Sequence, residues 1–521
     1  MYLGEVLNPA GERWEVQFKG AGRTHFSRAA DGRKVLRSSL REFLCSEANA
    51  ALGVPTTRAG TLVASDDRVL RDINYDGNAK AETCAVVLRI APSFLRFGSF
   101  EICRPTDEIT GREGPSARLG LERRRELLGK LLDHVGALLL GPAESPPPDS
   151  AAERQAARKR RWLAAFAEIV RRTAVLVASW QCAGFVHGVL NTDNLSVLGL
   201  TIDYGPYGFL EAYDPEYTPN GSDDSARYTY AAQPAVCRWN CETLAGSLAH
   251  ILSREETAPL LEAYDRAYEE AYLDGMRAKL GLRHTALGTD GSLVASLLDV
   301  MQEAGSDWTD TWRALANGVD QLPGATDAAM GAIADRLVAT GAAPARLAES
   351  ARRKARTSAS NLPVGQLMQF LHVAHTAPQQ LAALGPVEQV KADLMRELEK
   401  HQKAEALLET AAVLEKVKPE ERRAQDGARW VGWLREYQAR LAHDDEAAPG
   451  AAAGRRERMR SVNPRVVLRT WIAQEAIAAA EAGDNAGVER VLGAVTEPFA
   501  DSDDHFASAP PAWADGLGCV T

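Results

Sequence analysis

The segment from His187 to Gly205 constrains the chain more than any other. It reads H-G-V-L-N-T-D-N over residues 187–194, and Asp203-Tyr204-Gly205 begins nine residues after Asn194. Between these two oxygen-bearing side chains lies a short apolar run, Val197, Leu198, Leu200 and Ile202. A run of that length with polar ends reads as a strand that carries Asp203 outward. An amide oxygen and a carboxylate suit a hard cation, which takes most of its remaining ligands from water and phosphate. Asn-Thr-Asp-Asn is also a turn-like string, but a solvated turn accounts for neither the apolar run nor the Asp-Tyr-Gly-Pro after it. Asp193 is the only carboxylate inside the loop and therefore the candidate proton acceptor.

Laid on the catalytic loop of protein kinases, H-R-D-L-x-x-x-N, the segment puts His187, Leu190 and Asn194 on His, Leu and the metal-binding Asn. Val189 falls on the aspartate base and cannot take a proton. The layout implies nucleotide and metal binding without the usual phosphotransfer base, with His187 architectural. Kinases pair a strand lysine with a helix glutamate. Lys19 closes a predicted strand whose Trp14, Val16 and Phe18 alternate with polar residues. Glu42 lies 23 residues later on a predicted helix through Leu40, Phe43, Leu44 and Ala48, with Ser38 or Ser39 as its cap. Arg89 and Arg96 flank Ala91-Pro92-Ser93-Phe94, where a rigid turn suits bidentate phosphate contact and buried salt bridges serve equally well. Asp31-Gly32-Arg33 follows a polar turn at which backbone can approach phosphates.

Further strands are expected at Thr61–Val63 and Ala85–Leu88, a linker at 141–150, and helices over about 152–182 and 464–482. The basic cluster Arg158–Arg161 reads as a solvated helix face, and 447–454 as a second, small-residue linker. A chain of 521 residues with a net charge of −10 is unsuited to nucleic acid or an anionic membrane surface. No apolar run approaches the roughly 18–20 residues that span a bilayer. Seven scattered cysteines form neither a disulfide framework nor a zinc spacing, and Cys237 and Cys241 read as ordinary helix residues. Strands first and helices afterwards predict an α+β, protein-kinase-like bilobal fold with a mainly helical C-terminal lobe and extension. The expected division is a partial N-lobe over 1–102, a C-lobe with the metal site over 103–330, and a helical extension over 331–521.

Longer segments carry a closer resemblance. V-Q-F-K-G-A-G (16–22), D-G-R-K-V-L-R-S-S-L-R-E-F-L (31–44), R-I-A-P-S-F-L-R-F-G-S-F-E (89–101), the run 180–210 and N-P-R-V-V-L-R-T-W-I-A-Q (463–474) together resemble the selenoprotein O, or YdiU, family of pseudokinase-fold protein adenylyltransferases. They run through almost the whole chain. The resemblance implies an inverted ATP, α-phosphate toward the acceptor, and transfer of AMP to Ser, Thr or Tyr hydroxyls of protein substrates with release of pyrophosphate. It implies that Lys19 contacts phosphate, that Glu42 holds Lys19, and that Asp31, Gly32, Arg89 and Arg96 line the nucleotide. It further implies Mg²⁺ or Mn²⁺ on Asn194 and Asp203, with Asp193 as proton acceptor. Eukaryotic relatives are mitochondrial, and other members are expected in the cytoplasm.

The chain departs from the family pattern at three points. A glycine-rich G-Q-L-G-D-G-R-type segment expected before Leu3-Gly4-Glu5 is not in the sequence. The end, Cys519-Val520-Thr521, matches relatives in which selenocysteine follows, so truncation at both ends is expected. Pro219 stands where relatives often carry a cysteine, leaving Cys519 without that redox partner. An orthodox kinase, disfavoured by Val189, and a non-catalytic nucleotide-binding scaffold are the alternatives.

Overall fold

The computed structural model describes residues 1–24, 27, 30–72, 77–104, 106, 111, 116, 119–142, 150–282, 286–360, 362–447, 450, 452–501, 505–507, 510–514 and 517. They form a mainly helical α+β protein in two compact units. One unit comprises Met1–Val294, Trp308–Asp320 and Leu441–Thr521, and the other Ala295–Asp307 and Gln321–Arg440. Among the described residues, no helix is long and apolar enough to cross a membrane.

The first unit begins with the alternating segments. β1 (Tyr2–Leu7), β2 (Arg13–Lys19), β3 (Lys34–Val35), β4 (Arg58–Arg71) and β5 (Lys80–Ala91) form one sheet in which every pairing is antiparallel. β5 is its centre, bonded to β2, β3 and β4. Trp14, Val16 and Phe18 do alternate along β2, but the opposite face is also covered. Glu15 is buried and accepts from the Phe94 amide at 2.9 Å. The polar face of this strand therefore looks into the protein.

Helix α1 (Leu36–Ala51) follows β3 without a connecting loop. Its N-cap is Val35, which has no capping side chain, rather than Ser38 or Ser39. The Ser38 hydroxyl instead donates back to the Val35 carbonyl at 3.1 Å. α2 (Leu121–Leu140) and α3 (Ala151–Ala183) come next. Ser150 and Glu153 close a capping box on α3, and Gly184 ends it in the left-handed region at φ 70°. Arg158 pairs with Asp133 and Lys159 with Glu256 at 2.7 Å, so the basic cluster braces α3 against neighbouring segments instead of only facing water.

The short strands β6 (Phe185–Val186), directly after α3, and β7 (Gly208–Phe209) pair antiparallel. α4 (Gln233–Ser247) and α5 (Arg254–Lys279) complete the helical layer. Cys237 and Cys241 sit on successive turns of α4, fully buried, and burial pushes the Cys241 thiol up to about 12. Trp180, Phe185, Tyr204, Tyr207 and Phe209 share one core with Leu44, Phe97 and Phe100. Burying each such ring contributes about 1.5–3 kcal/mol, and the core ties α1 to the loop that carries Asp203.

Two expectations are corrected here. Residues 197–202 turn back on themselves rather than forming a strand. Leu195 bridges Thr201, Gly199 takes φ 67°, and the Leu198 amide donates to the Ser196 hydroxyl at 3.1 Å. The late helix begins at Thr470, not Pro464, and runs to Glu481. Before it the chain is held extended, with the Arg465 amide on the Pro498 carbonyl at 2.6 Å and Val466, Val467 and Leu468 in the core. Of the two expected linkers, residues 143–149, 448, 449 and 451 lie outside the described residues, as do the terminal Cys519, Val520 and Thr521.

Two helices near the C-terminus, Thr470–Glu481 and Asn485–Thr496, belong to this unit, and Ile477 of the first joins Leu36, Leu40 and Ala85 in a small core. The second unit is helical. Its small residues Ala348 and Ala351, on the helix Pro344–Ser358, meet Ala411 of Val387–Leu414.

Buried Arg313 holds the C-terminal segment. It donates to the carbonyls of Arg460 (3.0 Å), Asn463 (3.2 Å) and Phe499 (3.2 Å) and to Asp501 (2.7 Å). Arg313→Met is expected to lower unfolding free energy by about 3 kcal/mol, because those acceptors lose their donor inside the protein. Urea melts of the two proteins measure this, and unchanged stability would refute it.

Candidate active site

Register along the sheet decides which charged side chains meet. Gln17 of β2 lies opposite Arg89 of β5 and Lys19 opposite Val87, so Lys19, Gln17 and Arg89 share one face. α1, arriving directly from β3, sets the buried Glu42 against that face. Lys19 Nζ stands 2.9 Å from Glu42 Oε2 and also pairs with Asp203 Oδ1. Arg89 Nη1 lies 3.0 Å from Asp203 Oδ1 and 3.4 Å from Glu42 Oε1, and its Nη2 donates to Gln17 at 3.1 Å. Arg96 Nη1 is 3.2 Å from Asp203 Oδ2. Five residues singled out in the sequence thus form one ion network.

Sequence reasoning missed one member. Lys34 Nζ lies 2.5 Å from Glu42 Oε2 and donates to the Ser38 carbonyl at 3.0 Å. Its strand is two residues long and so has no periodicity, and the available signal was its place two residues before the helix bearing Glu42.

The network has a definite charge balance. Lys19, Lys34, Arg89 and Arg96 face Glu42 and Asp203, an excess of two positive charges (four minus two) before the exposed Asp193 is counted. Burial alone would raise the Glu42 carboxyl, yet Lys19, Lys34 and Arg89 hold it down at about 2. Asp203 behaves alike: burial opposes its charge, and Lys19, Arg89 and Arg96 keep it well below the ordinary carboxylate range. For Lys34 burial prevails over its pairing with Glu42, and its ammonium is lowered to about 8. A cavity of about 200 Å³ opens beside Lys19 and Lys34, lined also by Ser38, Arg41, Tyr204 and Gly205.

Asp203 is held from behind. It takes φ 67°, a conformation that disfavours residues with a Cβ by about 1–2 kcal/mol. Next to it, the Tyr204 hydroxyl is 2.5 Å from Thr56 Oγ1 and accepts from Asn49 at 3.0 Å. On the other side, the ring of buried His187 contacts the Ile202 carbonyl at 2.9 Å. Burial lowers the His187 pKa, so the ring is neutral and donates from Nε2. His187 thus fastens the backbone just before Asp203 from inside the core.

The remaining predicted residues sit around this network. Arg96 Nη1 also donates to the backbone carbonyl of Asp193 at 2.8 Å, so one guanidinium links Asp193 to Asp203. Asn194 donates to the Val189 carbonyl at 3.0 Å, which anchors its amide nitrogen and leaves its oxygen for another use. Asp31 and Gly32 lie between Lys19 and Lys34 in the chain, and among the described residues neither has a hydrogen bond or ion pair to the network. Asp31 Oδ1 accepts from Arg71 at 2.8 Å and from the Arg33 amide at 2.9 Å. Gly32 takes φ 70° against the Gly22 carbonyl, where a Cβ would clash.

Such a site favours a polyanion at its cationic surplus. Among the described residues, no group of three or more His, Cys, Asp and Glu side chains could enclose a metal. Asn194 and Asp203 supply one amide oxygen and one carboxylate. A carboxylate offers about four lone-pair positions, and Lys19, Arg89 and Arg96 use three on Asp203. This sparse oxygen set fits Mg²⁺ or Mn²⁺, whose other ligands are water and phosphate.

The chain is similar to known proteins along its length. The profile of the family described as "Protein adenylyltransferase SelO" matches residues 1–336. The chain is 44% identical to the mitochondrial protein adenylyltransferase SelO of Homo sapiens, over 100% of this chain and 76% of the relative. It is 43% identical to the mitochondrial SelO-1 of Danio rerio (96% and 70%) and 37% identical to the protein nucleotidyltransferase YdiU of Nitrosospira multiformis (98% and 76%).

The pairing of Glu42 makes stability depend on pH. Its folded pKa of about 2 lies below the ordinary 4.5, so its contribution is complete above about pH 4.5 and is lost as pH falls toward 2. The shift corresponds to about 3 kcal/mol. Glu42→Gln is expected to be less stable than wild type at pH 7, with that gap narrowing by about this amount between pH 5 and pH 2. Denaturant melts across the range test it, and a constant gap would refute it.

Proposed function

The chain belongs to the SelO family of protein adenylyltransferases, and on that premise we propose that it transfers AMP from ATP to Ser, Thr or Tyr hydroxyls of proteins, releasing pyrophosphate. The observation that carries the reading is the cationic surplus of Lys19, Lys34, Arg89 and Arg96 around Glu42 and Asp203. A triphosphate offsets that surplus, whereas a neutral ligand leaves it uncompensated.

In this reading ATP lies with its α-phosphate toward the acceptor. Lys19, Arg89 and Arg96 bind phosphate oxygens, Glu42 orients Lys19, and Asp31 and Gly32 border the nucleotide. Asn194 and Asp203 hold Mg²⁺ or Mn²⁺, which supplies charge neutralisation on the phosphates when bound. The acceptor oxygen bonds to the α-phosphorus as the bond from phosphorus to the β-bridging oxygen breaks. Pyrophosphate leaves with that electron pair, and the hydroxyl proton passes to the Asp193 carboxylate. Exposure of Asp193 supports this role, because a protein hydroxyl must reach it. Val189, in the kinase-base position, can take no proton and contributes a backbone carbonyl to Asn194 instead.

The reading includes a kinase-like bilobal arrangement. The sheet and α1 form the N-lobe (1–102), the metal-bearing loop and α2–α5 belong to the C-lobe (103–330), and 331–521 is the helical extension. A mitochondrial location follows if the source is eukaryotic, supported by the names of the human and mouse relatives.

Incubation with a mixture of candidate proteins, Mg²⁺ or Mn²⁺, and ATP labelled at either the α- or the γ-phosphate tests the reaction. Protein-bound label is expected from the α position alone, and its loss is expected in Asp203→Ala. Label from the γ position would make the protein a kinase and overturn the proposal.

A further inference from the structure

Gly98 lies in a 3₁₀ segment, Phe97–Cys103, that faces the loop bearing Asp193. Its φ lies outside the left-handed region, so the backbone does not require glycine there. Space does. A Cβ at position 98 would collide with Asp193 Oδ1 and approach Asp193 Cγ to 3.1 Å and Cα to 3.4 Å. Among the described residues beyond its chain neighbours, no other group comes as near to that position.

Backbone bonds prevent the two segments from separating. The Phe97 amide donates to the Leu195 carbonyl at 3.0 Å, and the Val197 amide donates to the Leu95 carbonyl at 3.2 Å. Arg96, two residues before Gly98, clamps the Asp193 carbonyl at 2.8 Å. The main chain at 98 is therefore fixed beside Asp193, and the missing side chain is what admits the carboxylate. We infer that Gly98 is a positioning residue, whose lack of a side chain seats the Asp193 carboxylate where it receives the acceptor proton. This rests on the reading of Asp193 as proton acceptor.

The test uses the full chain, ATP labelled at the α-phosphate, and Gly98→Ala made both alone and with Asp193→Ala. The added methyl can be relieved by swinging the solvent-exposed carboxylate away, which leaves fold and nucleotide contacts in place. Gly98→Ala is expected to lower kcat about 100-fold, the scale of an ångström-sized misplacement. Its melting temperature and ATP Kd should stay near wild type. In the Asp193→Ala background, where the colliding atoms are gone, the same substitution should cost no further activity.

The outcomes separate the two layers of the argument. An Asp193→Ala variant with wild-type turnover overturns the proton-acceptor reading and this inference with it. An inactive Asp193→Ala beside a fully active Gly98→Ala overturns the inference alone. Equal losses from Gly98→Ala in both backgrounds, or loss of fold or ATP binding, would mean a general structural role and also overturn it.

Discussion

A single buried carboxylate organises this site. Glu42 is almost inaccessible to water, and an unpaired charge there would be severely penalised. It is tolerable because Lys19, Lys34 and Arg89 come to it from three different strands. Each of those cations in turn needs Glu42, so the sheet, α1 and the Asp203 loop are mutually fixed. The sheet register, the loop-free passage from β3 into α1 and the left-handed turn at Asp203 all serve this one arrangement.

The network is deliberately incomplete. A structural ion cluster would balance its charges, since excess charge in a partly enclosed place repels itself. Here the surplus is positive and sits beside an open cavity. An anionic ligand would offset that surplus and meet donors already held in place. Arg96 extends the order outward by bonding both Asp203 and the main chain at Asp193.

Much of this was legible in the sequence, because the residues carrying it follow local rules. Lys19 ends an alternating strand and Glu42 falls on the inner face of a periodic helix. Asn194 and Asp203 keep a spacing that the intervening loop requires. The misreadings arose where tertiary contacts override local pattern. The apolar residues 197–202 have strand composition, but Gly199 and the Ser196 hydroxyl turn them back. Residues 464–469 look like the first turn of a helix, yet their apolar side chains are drawn into the core and the Arg465 amide is held by Pro498. Lys34 escaped notice because a two-residue strand has no period to read, and the space at Gly98 is visible only when two distant segments are placed side by side.

The small core formed by Leu36, Leu40, Ala85 and Ile477 has a consequence in time as well as in space. The segment that covers the first turns of the helix bearing Glu42 is made several hundred residues after that helix. A growing chain can form the sheet and the charged cluster in outline, but the outer side of that helix stays wet until the segment bearing Ile477 has been made. The helix that bears Glu42 therefore gains its outer packing only when the segment Thr470–Glu481 folds back onto it.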